Sequence, residues 1–293
     1  MDLVERYRSL SVRLFGKAAA RSANGFSSLK PHIAGAGMSI LLETWISMVY
    51  LTTLIVYFLS LFSVLAISAF IPFDGITFLY MVVFLPVMAA SMAFMFFYVY
   101  PVQKSSHIRN SIDNNLPFAL AHMGAISSSG IPPEFMFEML MGFREYGEIS
   151  RQAGLVVRNI KTFGMSSVNA IAEVAKRTPS PSFKQVMMGV QSTIEKGGNL
   201  TQYLEEMANR ALFEYRIKRE NYLKTLSTYA DFYTAVLVSA PIMMIVVLAV
   251  MSIIGGDIMG MAATDLIFLM TWMIIPLVNI LFIAFLEVSS PGS

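Results

Sequence analysis

Four long apolar stretches divide this sequence of 293 residues. Residues 45–71, 76–100, 232–254 and 266–286 contain no Asp, Glu, Lys, Arg or His. A helix needs about 20 consecutive apolar residues to cross the hydrocarbon core of a bilayer. The pattern therefore predicts four transmembrane helices, which are called spans one to four below.

The polar region between spans two and three, residues 101–230, has the periodicity of amphipathic helices. Asn115 predicts the N-cap of its first helix, and Gly130 predicts the left-handed residue that ends it. The pair Gly197 and Gly198 predicts the end of a fifth helix, and Asn199 the N-cap of a sixth. The predicted fold class is therefore all-α, a polytopic membrane protein with a six-helix cytoplasmic bundle between spans two and three.

The sixth helix has no obvious end before the membrane. After Asn199 the chain meets no glycine or proline until Pro241, which lies inside span three. We therefore predict one continuous helix of about 40 residues, which would be roughly 60 Å long.

The N-terminal region, residues 1–44, contains an amphipathic pattern over residues 2–20. Leu10 and Leu14 belong to its apolar side, and Arg13 and Lys17 to its basic side. Two placements stay open for this helix. It lies at the membrane surface, held by acyl chains and anionic lipid, or it packs on the cytoplasmic domain.

The basic residues orient the chain. All 21 Lys and Arg lie either before span one or between spans two and three. Loops rich in Lys and Arg stay on the cytoplasmic side. The two outer hairpins, around Phe73 and at 255–265, hold only acidic charges, at Asp74, Asp257 and Asp265. Both termini are therefore predicted to be cytoplasmic, in a multi-pass protein of the cell (inner) membrane. The predicted domains are 1–44, 45–100, 101–230, 231–287 and a tail at 288–293.

Composition supports a membrane protein over a soluble one. The chain is 56% hydrophobic and 14% charged, whereas soluble domains carry about 25% charged residues. Four buried helices of a large soluble protein would leave too little polar surface. The chain has no cysteine, which excludes disulfides and thiolate metal sites.

Motifs for catalysis are absent from the sequence. Its three histidines form no HExxH pair, and it has no phosphate loop and no Gly-x-Ser-x-Gly elbow. The spans lack the charged groups that ion-coupled transporters and intramembrane proteases need at depth. We therefore predict no enzyme activity, no cofactor and no metal.

The remaining candidate site is a protein-binding surface formed by basic side chains. A first cluster, on one face of the third bundle helix, comprises Arg151, Arg158 and Lys161. A second, on the sixth helix near the membrane, comprises Arg210, Arg216, Lys218 and Arg219. The alternatives are a solvated face or contact with lipid headgroups. Nucleic acid is not predicted as a partner, because 11 acidic residues intermix with the 15 basic ones in residues 101–230.

A weak internal repeat is visible at an offset of 68 residues. Residues 130–139 align with residues 198–207, matching a glycine, an aromatic residue and a Glu-Met pair. The repeat predicts two similar three-helix halves.

The order of these parts resembles the type II secretion system F domain family. Members are inner-membrane platform proteins of type II secretion, type IV pili, Tad pili and archaeal flagella-like filaments. The resemblance is carried by residues 115–118 with 128–132, by residues 195–201 with Met207-Ala208, and by residues 29–45 with their Gly-Ala-Gly-Met at 35–38.

The resemblance implies a mechanical role. The cytoplasmic domain would bind a hexameric secretion ATPase, and the spans would deliver pilin-like subunits from the bilayer into a growing filament. The first basic cluster becomes a candidate ATPase contact, and the second a candidate contact of the juxtamembrane region or pilin machine. Longer platforms hold two such domains, so the resemblance implies a homodimer or a paired second platform protein, in an archaeal or a bacterial cell.

Two rival functions remain from other classes. One is a small polytopic transporter or channel with a cytoplasmic helical insert. Matching broken helices in both halves would support that function. Prolines in spans two, three and four leave that reading open. The other is a membrane receptor or scaffold without an assembly role.

Overall fold

The computed structural model describes residues 3–38, 40–68, 74–255, 257–258 and 261–289. The predicted end of span one at 69–71, the hairpin residue Phe73 and most of the predicted tail, 290–293, lie outside the described residues. The chain forms two compact units, Met1–Leu212 and Phe213–Ser293.

The first unit is helical in its described part. Its helices are α1 (Leu3–Ser22), α2 (Leu29–Gly35), α3 (Leu42–Ser68), α4 (Gly75–Ser127), α5 (Pro133–Gly142), α6 (Glu148–Lys161), α7 (Ser167–Arg177), α8 (Pro181–Glu195) and the start of α9 (Leu200–Phe232). Short 3-10 turns follow α1 and α5, at Ala23–Phe26 and Arg144–Tyr146.

Helix α4 corrects the predicted start of the bundle. Span two and the first bundle helix are one helix of 53 residues. Asn115 is therefore not an N-cap; its Nδ2 donates to the Ser111 carbonyl 2.9 Å away, inside the helix. A proline inside a helix removes one backbone hydrogen bond, but Pro101 and Pro117 are both buried in the packed protein. Burial has overridden the local signal to begin a new helix.

The six-helix bundle is confirmed, with the C-terminal part of α4 as its first helix and the start of α9 as its last. Its core is apolar and continuous. The largest fully buried side chains include Ile112, Leu120, Met123, Phe137, Ile149, Ile171, Met187 and Leu204. Helix α6 buries Ile149, Ala153 and Val156 on one face, whereas Phe163, which follows the helix, is 63% exposed.

The internal repeat has a structural counterpart, but a smaller one than predicted. Helices α4 and α8 end at Ser127 and Glu195, 68 residues apart (195 − 127). At the same offset, the buried Met136 of α5 matches Leu204 of α9. The repeat therefore relates the first two bundle helices to the last two, so the prediction of three-helix halves is wrong.

An aromatic cluster joins α2, α3 and α4 at the start of span one. Trp45 stacks on Tyr100 with ring centroids 6.2 Å apart, and it contacts Phe97 at 6.1 Å. Gly35, at the end of α2, allows a close approach to α4 and to the turn before α8. A Cβ built on Gly35 would lie 2.8 Å from both Pro179 Cβ and Ser105 Oγ.

Helix α1 packs on the first span helix. Tyr7 Oη lies 3.2 Å from the Met48 carbonyl, and the Phe15 and Tyr50 rings are 6.2 Å apart. The described contacts of α1 are thus with α3, a neighbour that neither of the two predicted placements named. Leu10 stays 53% exposed on another face, so contact with the membrane surface remains a prediction.

The second unit contains the rest of α9, then α10 (Ala240–Ile254), α11 (Ala263–Leu269) and α12 (Ile275–Ser289). Helical backbone is continuous over Leu200–Ile254, as predicted. A two-residue antiparallel strand pair, β1 (Asp257–Ile258) and β2 (Met261–Ala262), lies in the hairpin before α11, and the predicted all-α class is confirmed.

Two π-helical segments were not predicted. They lie at Tyr233–Ser239 and Met270–Ile274, each just before a proline, Pro241 or Pro276. A proline ring crowds the carbonyl four residues earlier, and a wider turn accommodates it. Span two keeps α-helical backbone through Pro86. The described part of span two therefore has no break to match those in spans three and four, although matching breaks in both hairpins are what a transporter would be expected to have.

Asn279 is the polar residue inside span four, and it is satisfied by packing. Its Oδ1 accepts from Tyr233 Oη at 2.8 Å, and its Nδ2 donates to the Ile275 carbonyl at 2.8 Å. These bonds within the second unit account for the side chain without a substrate. Within the described residues, four helices are long and apolar enough to cross a membrane: Leu42–Ser68, Gly75–Ser127, Leu200–Ile254 and Thr264–Glu287.

Candidate interaction surfaces

Arg151 lies near the start of α6 and turns toward the segment before span one. Its Nε donates to Glu148 one turn earlier. A Cβ built on Gly37 would lie 3.3 Å from its Nη1 and 3.6 Å from its Nη2, so the guanidinium lies against that turn. Gly37 has φ +69°, a left-handed conformation that favours glycine. Arg151 thus has an internal role beside any contact with a partner.

Arg158 and Lys161 occupy the other end of α6. The Arg158 guanidinium is 6.0 Å from the centroid of the Phe163 ring. Lys161 Nζ lies 2.6 Å from Glu138 Oε1 and so joins α6 to α5. The structure places Arg151 and Lys161 against different neighbours, and the predicted three-residue face is divided. Arg158 is its most available member, because its described contact is a weak one at the edge of cation–π range.

The second basic cluster lies entirely on α9. Arg210 belongs to the first unit, while Arg216, Lys218 and Arg219 belong to the second. Arg219 Nη1 donates to Tyr215 Oη at 3.2 Å. Arg216 and Lys218 are exposed. Their contact with other components stays a prediction.

The predicted helix-junction glycines differ in role. Gly130 and Gly197 have φ +73° and +65°, the left-handed conformation that ends α4 and α8. Gly198 does not share that conformation. A Cβ on Gly198 would lie 3.3 Å from Thr193 Cγ2, so its small size matters for packing.

Tyr146 and Tyr203 are two partly buried phenols of the bundle. Burial raises the pKa of both above the usual tyrosine value, and the charges of Glu145 and Glu206 raise them further. Tyr203 Oη donates to the Val186 carbonyl at 3.2 Å. Both phenols are therefore neutral at physiological pH.

Sequence reasoning missed a set of residues on α4 that faces Arg151. Tyr100, Lys104 and His107 line one cleft with Arg151 and Glu148. Positions 100, 104 and 107 recur at helical spacing immediately after span two, and that signal could have identified them.

Comparison with known proteins finds a family model that matches the region containing most of the bundle. Residues 119–248 match the model of the family described as Type II secretion system (T2SS), protein F. No solved structure matches the chain.

Three archaeal relatives are similar over part of this chain. Flagella accessory protein J of Methanococcus voltae is 25% identical over 181 residues, 61% of this chain and 31% of the relative. The protein of the same name from Methanocaldococcus jannaschii is 23% identical over 177 residues, 60% of this chain and 31% of its own. An uncharacterized protein of M. jannaschii is 24% identical over 158 residues, 54% of this chain and 27% of its own. The matched part thus spans about three tenths of each relative's length.

The family match and the four membrane-capable helices agree with each other. Part of the matched region, residues 119–212, lies in the first unit, in the bundle that follows the first pair of these helices. The chain is therefore a multi-pass membrane protein whose residues 119–248 match the type II secretion system protein F family.

Proposed function

We propose that this chain is the membrane platform protein of a type IV pilus-like or type II secretion-type assembly machine. The observation that carries the proposal is an F-family domain that begins between two pairs of membrane-capable helices. The names of two relatives, flagella accessory protein J, support a filament of the archaeal flagellum type.

In this role the chain couples a cytoplasmic hexameric ATPase to insertion of pilin-like subunits. The ATPase supplies nucleotide hydrolysis, so the platform itself needs no catalytic group. Both termini and the bundle face the cytoplasm, which the distribution of Lys and Arg supports. A homodimer, or a pair with a second platform protein, is the assembly we propose.

Deletion of the gene tests the proposed function at the level of the cell. We expect loss of surface filaments, seen by electron microscopy, with unchanged uptake of small solutes. Re-expression of the full chain should restore the filaments. Normal filaments in the deletion strain would contradict the platform role, and a specific loss of solute uptake would favour a transporter.

The first basic cluster is the proposed ATPase contact. Reversal of Arg151 and Arg158 to Glu should abolish co-purification of the ATPase without preventing membrane insertion. Arg158→Glu alone is the cleaner variant, because Arg151 also pairs with Glu148 and lies against Gly37. Unchanged co-purification would remove these residues from the contact.

Lys161 permits a matched test, because its ion-pair partner, Glu138, can be substituted together with it. Lys161→Glu breaks the pair with Glu138, whereas the double variant Lys161→Glu, Glu138→Lys restores an ion pair in reverse. If Lys161 contacts the ATPase, both variants lose co-purification. If its role is internal only, the double variant recovers it.

A further inference from the structure

A cleft of about 600 Å³ lies in the first unit, between the turn after α2, helix α4 and helix α6. Its lining includes Gly37, Tyr100, Lys104, His107, Glu148 and Arg151. Helices α4 and α6 thus bring basic side chains and one aromatic ring to a single cavity, and the turn after α2 closes it with Gly37. The proposed ATPase contact does not explain this arrangement.

Positive charge exceeds negative charge in the cleft. Glu148 is engaged by Nε of Arg151, which leaves the Nη1 and Nη2 donors of Arg151 for another acceptor. Lys104 Nζ lies 6.0 Å from the centroid of the Tyr100 ring. In the part of the chain that the structure describes, Lys104 has no carboxylate partner. Two cations and the His107 ring therefore share one carboxylate.

The position of the cleft along α4 relates it to the bilayer. Tyr100 is the last residue of the predicted span two. At a helical rise of 1.5 Å, Lys104 follows it by roughly 6 Å and His107 by roughly 10 Å. The headgroup layer is about 5–8 Å thick on each side of the hydrocarbon core. With Tyr100 taken as the end of the hydrocarbon core, Lys104 falls at headgroup depth and His107 at the outer edge of that layer.

The aromatic pair beside the cleft fits this depth. Trp45, the first residue of the predicted span one, stacks on Tyr100 with an interplanar angle of 18°. Tryptophan and tyrosine are enriched where the hydrocarbon meets the headgroups. The start of span one thus packs on Tyr100, the residue of span two that lines the cleft.

We propose that this cleft binds the phosphate group of an anionic lipid headgroup. The Nη1 and Nη2 edge of the Arg151 guanidinium, beside Gly37, donates to no side chain among the described residues and offers two parallel donors to phosphate oxygens, and Lys104 adds a point charge. Basic pockets on the cytoplasmic side of membrane helices bind such headgroups. A free phosphate has the same chemistry, so the experiment includes it as a separate arm.

Trp45 gives the binding assay its reporter. The chain contains two tryptophans, so the Trp272→Phe variant leaves Trp45 as the single emitter. The full chain with this change, purified in a neutral detergent, is titrated with three probes. These are dihexanoyl phosphatidylglycerol, dihexanoyl phosphatidylcholine and inorganic phosphate. Native mass spectrometry of the same samples counts the lipids retained.

A saturable response to phosphatidylglycerol alone is the expected result. An equal response to inorganic phosphate would keep the anion site and identify a soluble phosphate as its source. Equal responses to phosphatidylglycerol and phosphatidylcholine would overturn the proposal, because the acyl chains would then account for binding. The absence of any saturable response would overturn it as well.

Three charge variants locate the site. Lys104→Gln and Arg151→Gln should each weaken phosphatidylglycerol binding about five-fold or more, the effect of one basic charge near the headgroups. Lys184→Gln, an exposed position on α8, is the matched control and should bind like the parent. Melting temperatures establish that each variant is folded. Should Arg151→Gln fail to fold, Lys104→Gln decides alone, and unchanged affinity in that variant would refute the assignment.

Discussion

Gly189, in the interior of α8, offers a sharp test of how the bundle packs. The Tyr203 side chain of α9 crosses directly over it. A Cβ built on Gly189 would lie 1.9 Å from Tyr203 Oη and 2.3 Å from its Cζ. Gly189→Ala therefore requires the whole phenol ring to move, and the bond from Tyr203 Oη to the Val186 carbonyl is lost.

Three terms set the size of the effect. Displacing a packed side chain costs about 1–3 kcal/mol. Loss of the phenol hydrogen bond costs about 1 kcal/mol. Alanine is more favourable than glycine inside a helix by about 1 kcal/mol. The net expectation is a destabilisation of about 1–3 kcal/mol, in spite of the better helix former.

Thermal unfolding of the full chain in detergent, followed by helical circular dichroism, measures this change. Each kcal/mol should lower the melting temperature by roughly 2–4 °C. Gly142→Ala is the matched control, because α5 ends at Gly142 and its Cβ would meet no atom within 4 Å. That variant should be neutral or slightly stabilised.

The double variant decides whether Tyr203 is the cause. With Tyr203→Ala as the background, Gly189→Ala should become stabilising by about 1 kcal/mol, since only helix propensity remains. If Gly189→Ala is as stable as the parent, or if its cost persists without the Tyr203 ring, the packing of α8 on α9 described above is wrong.

Three further predictions concern stability. Gly35→Ala should destabilise the chain by about 1–3 kcal/mol, because its Cβ would meet two atoms at 2.8 Å. Gly16→Ala, inside α1 and with its nearest contact at 3.5 Å, should be stabilised by up to about 1 kcal/mol in the same melting experiment. Trp45→Phe should destabilise the chain by less than about 1 kcal/mol. It keeps the aromatic packing and removes an indole N–H that is buried without an acceptor among the described residues. Trp45→Ala should destabilise the chain by about 3–5 kcal/mol. The pKa of Tyr203 is raised in the folded protein, so the free energy of unfolding should be at its full value below the usual tyrosine pKa and should fall as pH rises through that value toward the folded pKa. Tyr203→Phe should reduce this alkaline loss of stability, and an identical pH profile would contradict the prediction.

The spacing of apolar residues along the chain predicted more of this fold than the local helix-start and helix-stop residues did. The apolar stretches and the buried faces at Ile149 and Val190 follow from spacing alone, because burial repeats with the helix. The predicted helix start at Asn115 is wrong. Asn before Leu-Pro is a local signal for a helix start, but tertiary packing at Pro117 outweighs that signal and α4 continues through it. The π segments before Pro241 and Pro276 have no signature beyond the prolines themselves.

The candidate sites were less predictable than the fold. Lys161 and Arg151 share one face of an isolated helix, yet their partners come from α5 and from the turn at Gly37. The cleft at Lys104 depends on three elements that meet only in the folded chain. Spacing identifies which residues share a face, while partners on other elements depend on the tertiary arrangement.

The length of α4 has a mechanical consequence. A helix of 53 residues is roughly 80 Å long, and its unbroken backbone connects Ile112 and Leu120 of the bundle core to Gly75, at the far end of the membrane-capable segment. Each of Pro86, Pro101 and Pro117 already lacks one backbone hydrogen bond. Bending α4 at these three positions would break no further backbone hydrogen bond, and one of them, Pro101, lies just before the cleft at Lys104.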